Sequence, residues 1–245
     1  MSFPMQCLSV FTPAILGGII QSTTGFGFGI FVMMFFPMFL LIPKASALSS
    51  LISILQSFTM FMKYRKSADL KLCLVPAVFY VASATFCINS VSGMDMTKLK
   101  AVFGLFLIVI AIYFIFFSDK LKIKANLVSA MICGTVSGIA SGLFGIGGPP
   151  MVIYMLAATD SDKEKYLGTL QLFFVLTNIY NNALRFINGI ITTDILMLVI
   201  PGVCGMLIGA AAGSKIIDRI NVATMKKMIY LFLAVSGAIT FFSNI

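Results

Sequence analysis

Two glycine-rich segments interrupt the longest apolar runs of this chain and carry polar side chains with them. The first segment spans residues 25–29 and the second spans residues 142–150. Glycine lets a ligand approach the main chain closely. A helix that restarts after such a break has unbonded N–H groups and a positive dipole end, which suit an anion. The pattern therefore predicts that anions bind at two broken helices.

The candidate substrate-binding residues fall into three groups, two at the breaks and one on a later helix. The members of the helix group are spaced 7, 4 and 3 residues apart and so share one face. Polar groups at that density in a membrane helix face protein or water rather than lipid. The candidates are Gln21, Ser22, Thr23, Thr24, Gly25, Phe26 and Gly27 at the first break, Ser141, Gly142, Gly145, Ile146, Gly147 and Gly148 at the second, and Gln171, Asn178, Asn182 and Arg185 on the helix.

Each group also has a purely structural interpretation. Hydroxyl groups near the breaks can bond back to their own helix, and glycines at spacing four, such as Gly138 and Gly142, can form a helix-packing face. Arg185 can either bind the anion through its guanidinium or extend to the membrane interface. We expect a branched side chain at Gly147 to block transport while leaving the protein folded.

The composition requires a membrane around these segments. Of 245 residues, 60% are hydrophobic and 10% are charged, whereas a soluble domain has about 25% charged residues. The formal charge of +9 comes from basic residues in short loops, which set membrane topology rather than bind nucleic acid. The sequence contains no histidine, and we expect no cofactor, no metal site and no enzymatic activity.

The apolar runs predict an all-α integral membrane protein with a single transmembrane domain, residues 1–245. Its two halves, about 5–120 and about 124–245, align at an offset of 120, where Gly18, Gly25 and Gly27 fall on Gly138, Gly145 and Gly147. In each half a broken-helix hairpin precedes three transmembrane helices. The first half has a run over 8–42 and helices over 45–62, 72–91 and 99–117; the second has a run over 127–158 and helices over 166–187, 195–213 and 225–242.

The positive charges predict the topology. If each broken run returns to its own side, thirteen of the seventeen Lys and Arg residues collect on one side of the membrane and four on the other. If each run crosses once, the division is eight against nine. The positive-inside rule favours the first arrangement. It makes the two halves inverted repeats, with both termini outside the cytoplasm, and leaves open whether the hairpins are re-entrant or fully spanning.

The two glycine-rich segments resemble those of the TauE/SafE family of sulfite and sulfonate exporters. The similarity covers residues 18–27 and, more specifically, residues 138–149, and the paired halves fit as well. One departure is Phe28, where a fully glycine-rich segment has glycine. The resemblance implies a multi-pass protein of the cell inner membrane that exports a small anion, most simply sulfite or an organosulfonate such as sulfoacetate.

The resemblance implies alternating access at a central site between the two hairpins, which is the behaviour of a secondary transporter. The alternative is an anion channel or an uptake permease for a small oxyanion or carboxylate. The expected partners are the small anion and the lipid bilayer, with no nucleic acid. The identity of the anion, the coupling ion and the oligomeric state, a homodimer included, remain open.

Overall fold

A computed structural model describes residues 3–91, 93–116, 124–160, 162–216, 234–235 and 237–242. Within these ranges all regular structure is helical, as the sequence predicts. The chain forms two compact units, one of residues 1–92 and 123–214 and one of residues 93–122 and 215–245. The helices are α1 (Phe3–Thr24), α2 (Phe28–Val32), α3 (Ile42–Tyr64), α4 (Leu70–Val91), α5 (Met96–Phe116), α6 (Leu127–Phe144), α7 (Gly148–Ala158), α8 (Lys163–Ile187) and α9 (Thr193–Ile216).

Both apolar runs break at the predicted glycines. Gly25 and Gly27, between α1 and α2, have φ angles of 82° and 105°, and Gly145, at the end of α6, has a φ of 70°. Residues that carry a side chain rarely adopt this left-handed backbone conformation, so glycine is the residue that can end a helix here. After the first break the chain folds back on α1, as the contacts of Phe28 and Val32 with Gly17 of α1 show.

In the first unit, α1, α3 and α9 begin at the same end. Gly209 of α9 lies against the carbonyl of Ile15 and Gly213 lies against that of Ile19, so α9 runs parallel to α1. A Lys44–Asp194 ion pair of 3.2 Å joins the first turn of α3 to the first turn of α9. The broken run of α1 and α2 therefore begins and ends at one end of the unit.

The helices α4, α6 and α8 begin at the opposite end. Gly134 of α6 lies against the carbonyl of Pro76 and Gly142 lies against that of Ala84, so α6 runs parallel to α4. The start of α8 meets the start of α4 through an ion pair of 3.4 Å between Lys165 and Asp69. The second broken run thus also returns to its own end. The inverted repeat itself stays a prediction, since its last helix, predicted over 225–242, lies largely outside the described residues.

The protein is a multi-pass membrane protein. Among the described residues, six helices, α1, α3, α4, α5, α6 and α9, are long and apolar enough to cross a bilayer. Large apolar side chains on their outer faces are exposed, among them Val78 (66%) and Ile200 (69%). Such faces are compatible with hydrocarbon as the surrounding solvent and would be unfavourable in water.

In the second unit, α5 packs against residues 237–242. A Cβ placed on Gly104 would lie 2.5 Å from the backbone nitrogen of Phe241, and one placed on Gly237 would lie 2.9 Å from the carbonyl of Gly104. The absence of side chains at these two glycines therefore lets the two backbones approach closely.

We expect terminal tags on both ends of the protein to be accessible from outside intact cells. In the first unit, seven basic residues lie at the end where α4, α6 and α8 begin and α3 finishes, and the positive-inside rule makes that end cytoplasmic. The start of α1 lies at the other end. Accessibility labelling of both tags before and after permeabilisation tests this, and protected tags in intact cells would contradict it. The seven residues are Lys63, Arg65, Lys66, Lys71, Lys124, Lys163 and Lys165.

Candidate functional site

A cavity lies between the two breaks, inside the first unit. Its empty volume is about 540 Å³, including open space at its mouth. Seven helices, α1, α2, α3, α4, α6, α7 and α8, contribute to its wall together with the residues of both breaks. The lining residues are Gln21, Phe26, Gly27, Gly29, Ile30, Ser53, Ser57, Tyr80, Ser141, Gly145, Ile146, Gly147, Gly148, Phe174, Thr177 and Asn178.

Both halves of the sequence contribute equivalent positions to the cavity. Several lining residues stand 120 positions apart, which is the offset of the predicted repeat. A pocket at the interface of two repeats is the usual place for a transporter's substrate. The pairs are Gln21 with Ser141, Phe26 with Ile146, Gly27 with Gly147 and Ser57 with Thr177.

The wall of the cavity combines polar and apolar groups and carries no charged side chain. Gln21 donates a hydrogen bond of 3.2 Å from its amide nitrogen to the hydroxyl of Ser57. The amide oxygen of Asn178 accepts a bond of 3.0 Å from Ser50, so the amide nitrogen of Asn178 remains available as a donor. The hydrogen-bonding side chains of the wall are therefore neutral.

Arg185 lies behind this wall rather than in it. Its side chain is 1% exposed, so it does not extend to the membrane interface. One terminal nitrogen, Nη2, donates to the carbonyl oxygen of Ser141 at 2.7 Å and lies 3.5 Å from that of Gly142. These carbonyls belong to the last turns of α6, where a cation offsets the negative dipole end. The other nitrogen, Nη1, has no hydrogen-bond partner among the described residues.

Gln171 holds the first break in a comparable way. It is fully buried, and its amide nitrogen donates to the carbonyl oxygen of Gly25. A break inside a membrane frees backbone groups that need new partners. Gln171 and Arg185, both on α8, supply donors to the two breaks and do not line the cavity.

The other candidates outside the lining make helix contacts. The hydroxyls of Ser22 and Thr23 bond to carbonyls of Ile19 and Ile20 at 2.9 and 2.8 Å. That of Thr24 bonds to Ile20 at 2.9 Å. These bonds agree with the alternative interpretation, in which hydroxyl groups near the break bond back to their own helix.

Gly142 and Asn182 lie outside the cavity lining as well. A Cβ at Gly142 would lie 2.7 Å from the Cβ of Cys87 on α4, so this glycine serves helix packing. The amide atoms of Asn182 are buried and have no partner among the described residues.

Two polar residues that the sequence did not indicate, Tyr80 and Asn181, lie beside Ser141 in the fold. The Tyr80 hydroxyl donates to the Ser141 hydroxyl at 2.6 Å. The Asn181 amide nitrogen donates to Tyr80 at 2.6 Å and to Ser141 at 3.0 Å. Asn181 is four residues from both Thr177 and Arg185 and so lies on the same helix face, a spacing from which the sequence could have indicated it. Tyr80, on a different helix, carried no such signal.

The start of α7 presents fewer donors than expected for a broken helix. Pro149 and Pro150 occupy its second and third positions and have no N–H group. The start of α2 has ordinary residues there, but this helix has only five residues. Side-chain donors therefore matter more at this site than the helix ends suggest.

The chain is similar in sequence to membrane transport proteins. The model of the family described as sulfite exporter TauE/SafE matches residues 10–240. Among curated proteins, a probable membrane transporter protein of Methanocaldococcus jannaschii is 36% identical over 93 residues, which cover 37% of this chain and 34% of that protein. The match thus spans about a third of the relative's length. Both descriptions are of transporters rather than enzymes. No solved structure matches the chain.

The two adjacent glycines at the second break should respond differently to added side chains. A Cβ on Gly147 would lie 2.9 Å from the Ser137 carbonyl and from the Ser141 side chain, whereas one on Gly148 would meet nothing closer than 3.8 Å. We expect Gly147→Val to lower the thermal unfolding temperature, because overpacking costs about 1–3 kcal/mol. The contacts thus add an expected loss of stability to the predicted loss of transport.

Gly148→Ala is the matched control for that variant. It should unfold at the parent's temperature while narrowing the cavity beside Phe26 and Phe174. Thermal unfolding of both purified variants in detergent measures the difference. Equal unfolding temperatures would show that the space around Gly147 is not as restricted as the contacts indicate.

Proposed function

Because this chain belongs to the sulfite exporter TauE/SafE family, we propose that it is a secondary transporter that exports a small anion. The substrate class is sulfite or an organosulfonate such as sulfoacetate. The anion occupies the cavity between the two breaks during alternating access. The observation that carries the proposal is that residues from both breaks, Gly27 and Gly147 included, line this one cavity.

Neutral donors are suited to a transported anion. Hydrogen bonds from hydroxyl, amide and main-chain groups replace part of the hydration shell without pairing the anion with a fixed cation. Carriers and channels need binding that is favourable enough to admit the ion and weak enough to release it. The hydroxyl of Ser141 and the amide of Asn178 are such donors in the wall.

A positive charge behind the wall adds a field that favours the anion. Arg185 is buried beside Ser141 and forms no ion pair in the described part of the chain. In an interior of low dielectric, an uncompensated charge acts over a longer distance than in water. Arg185 therefore contributes electrostatic attraction while its hydrogen bonds serve α6.

The helix α8 provides a way to couple the two breaks. Gln171 bonds to the first break and Arg185 to the end of α6 at the second. A movement of either hairpin relative to α8 changes these bonds and the shape of the cavity together. Alternating access in repeat transporters is movement of one element against another around a central site.

The function is tested by flux in proteoliposomes. Purified protein is reconstituted, and efflux of sulfite, sulfoacetate, sulfate and a small carboxylate is measured over a range of concentrations. We expect saturable efflux of sulfite or the sulfonate. Flux that grows linearly with concentration would indicate a channel, and the absence of flux for every sulfur oxyanion would contradict the proposal.

The field from Arg185 predicts a graded series of variants. Arg185→Lys retains the charge and should leave the dissociation constant for sulfite within about threefold of the parent. Arg185→Gln removes the charge and should weaken binding about tenfold, or about 1.4 kcal/mol. Isothermal titration calorimetry on folded protein measures both.

Lys44→Gln is the control for charge removal, since Lys44 is paired with Asp194 at the helix ends. Exposed pairs of this kind contribute little, and its affinity should match the parent. If Lys and Gln at position 185 weaken binding equally, the shape of the guanidinium matters and the field does not.

A further inference from the structure

The hydroxyl of Ser141 is held by two donors at one point of the cavity wall. It accepts hydrogen bonds from the Tyr80 hydroxyl at 2.6 Å and from the Asn181 amide nitrogen at 3.0 Å. Asn181 also donates to Tyr80 at 2.6 Å, which closes a ring of three side chains. Tyr80 and Asn181 are 2% and 0% exposed, so water does not replace these bonds readily.

The proton and the lone pairs of the Ser141 hydroxyl determine which hydrogen bond it can form with a ligand. A serine hydroxyl has one proton to donate and two lone pairs that accept. In this ring both lone pairs are occupied, one by Tyr80 and one by Asn181. The proton has no acceptor among the described residues, and Ser141 lines the cavity. Ser141 therefore faces a ligand as a donor and not as an acceptor.

We propose that the Ser141 hydroxyl is a dedicated hydrogen-bond donor to the transported anion, with Asn181 and Tyr80 as the positioning residues that hold it in that role. This inference rests on the proposed function and deepens it. The ligand that fits is one whose oxygen toward Ser141 carries a lone pair and no proton, as each oxygen of a sulfonate group does. Arg185 adds positive charge on the main-chain side of the same residue, 2.7 Å from its carbonyl oxygen.

Asn181 gives the sharpest test because it does not line the cavity. Any effect of this amide on anion affinity must pass through the residues that it holds. A double-mutant cycle separates an effect that passes through Ser141 from an independent one. The cycle consists of the parent, Ser141→Ala, Asn181→Leu and the double variant, each titrated with methanesulfonate and with sulfite by calorimetry.

We expect Ser141→Ala to weaken binding by at least tenfold, since it removes a hydrogen bond to a charged group. Asn181→Leu should weaken binding three- to tenfold. The double variant should stay within about twofold of Ser141→Ala alone, because Asn181 has no further hydroxyl at Ser141 to position. Losses that multiply in the double variant would overturn the proposal, as would an unchanged affinity in Ser141→Ala.

Two further variants keep the test interpretable. If Asn181→Leu does not fold, Asn181→Ala replaces it in the cycle with the same expectation. Tyr180→Phe is the matched control, because its hydroxyl bonds to Thr85 and does not line the cavity; its affinity should equal the parent's. If the parent binds neither anion, the proposed function fails. If the parent binds and the cycle is additive, only the present inference fails.

Discussion

Every backbone N–H and C=O group inside a bilayer needs a partner, and the two helix breaks are where this requirement is hardest to meet. Each break frees carbonyl groups deep in the protein. From α8, Gln171 donates to the carbonyl of Gly25, and Arg185 is a second donor to the carbonyl of Ser141, which also accepts from the Gly145 N–H. Two buried polar side chains of α8 thus serve the main chain at the breaks.

The same demand shapes the chemistry of the cavity. Arg185 donates to a main-chain carbonyl and does not line the cavity, so the wall itself has only neutral side chains. Ser141 connects the two levels, with its carbonyl bonded to Arg185 and its hydroxyl bonded to Tyr80 and Asn181. Ser141, in the last turn of α6, thereby connects the hydrogen bonding of the main chain, the local positive charge and the donor presented to a ligand.

The sequence alone predicted the parts of this structure that depend on local pattern. Helix α4, expected over 72–91, spans Leu70–Val91, and the break after α6 lies at the glycines that marked it. Apolar runs and glycine positions are sufficient for such features because lipid solvation and backbone strain act locally. Of the cavity pairs 120 positions apart, the sequence alone indicated Gly27 with Gly147.

What a single sequence could not provide was the choice of partners across helices. Gln171 and Arg185 were identified as polar residues of the correct helix, yet their partners are main-chain carbonyls, which no side-chain pattern reveals. Tyr80 was missed because it lies on an apolar helix.

The most direct test of the central claim is whether a bound anion protects a cysteine in the cavity from chemical labelling. Gly148→Cys, in a protein whose five native cysteines are replaced, is labelled with a water-soluble thiol reagent in proteoliposomes, with Lys66→Cys as the exposed control. We predict that saturating methanesulfonate slows the labelling of Gly148→Cys at least fivefold and leaves the labelling rate of Lys66→Cys unchanged. Unchanged labelling at Gly148→Cys while anion flux is saturated would contradict it.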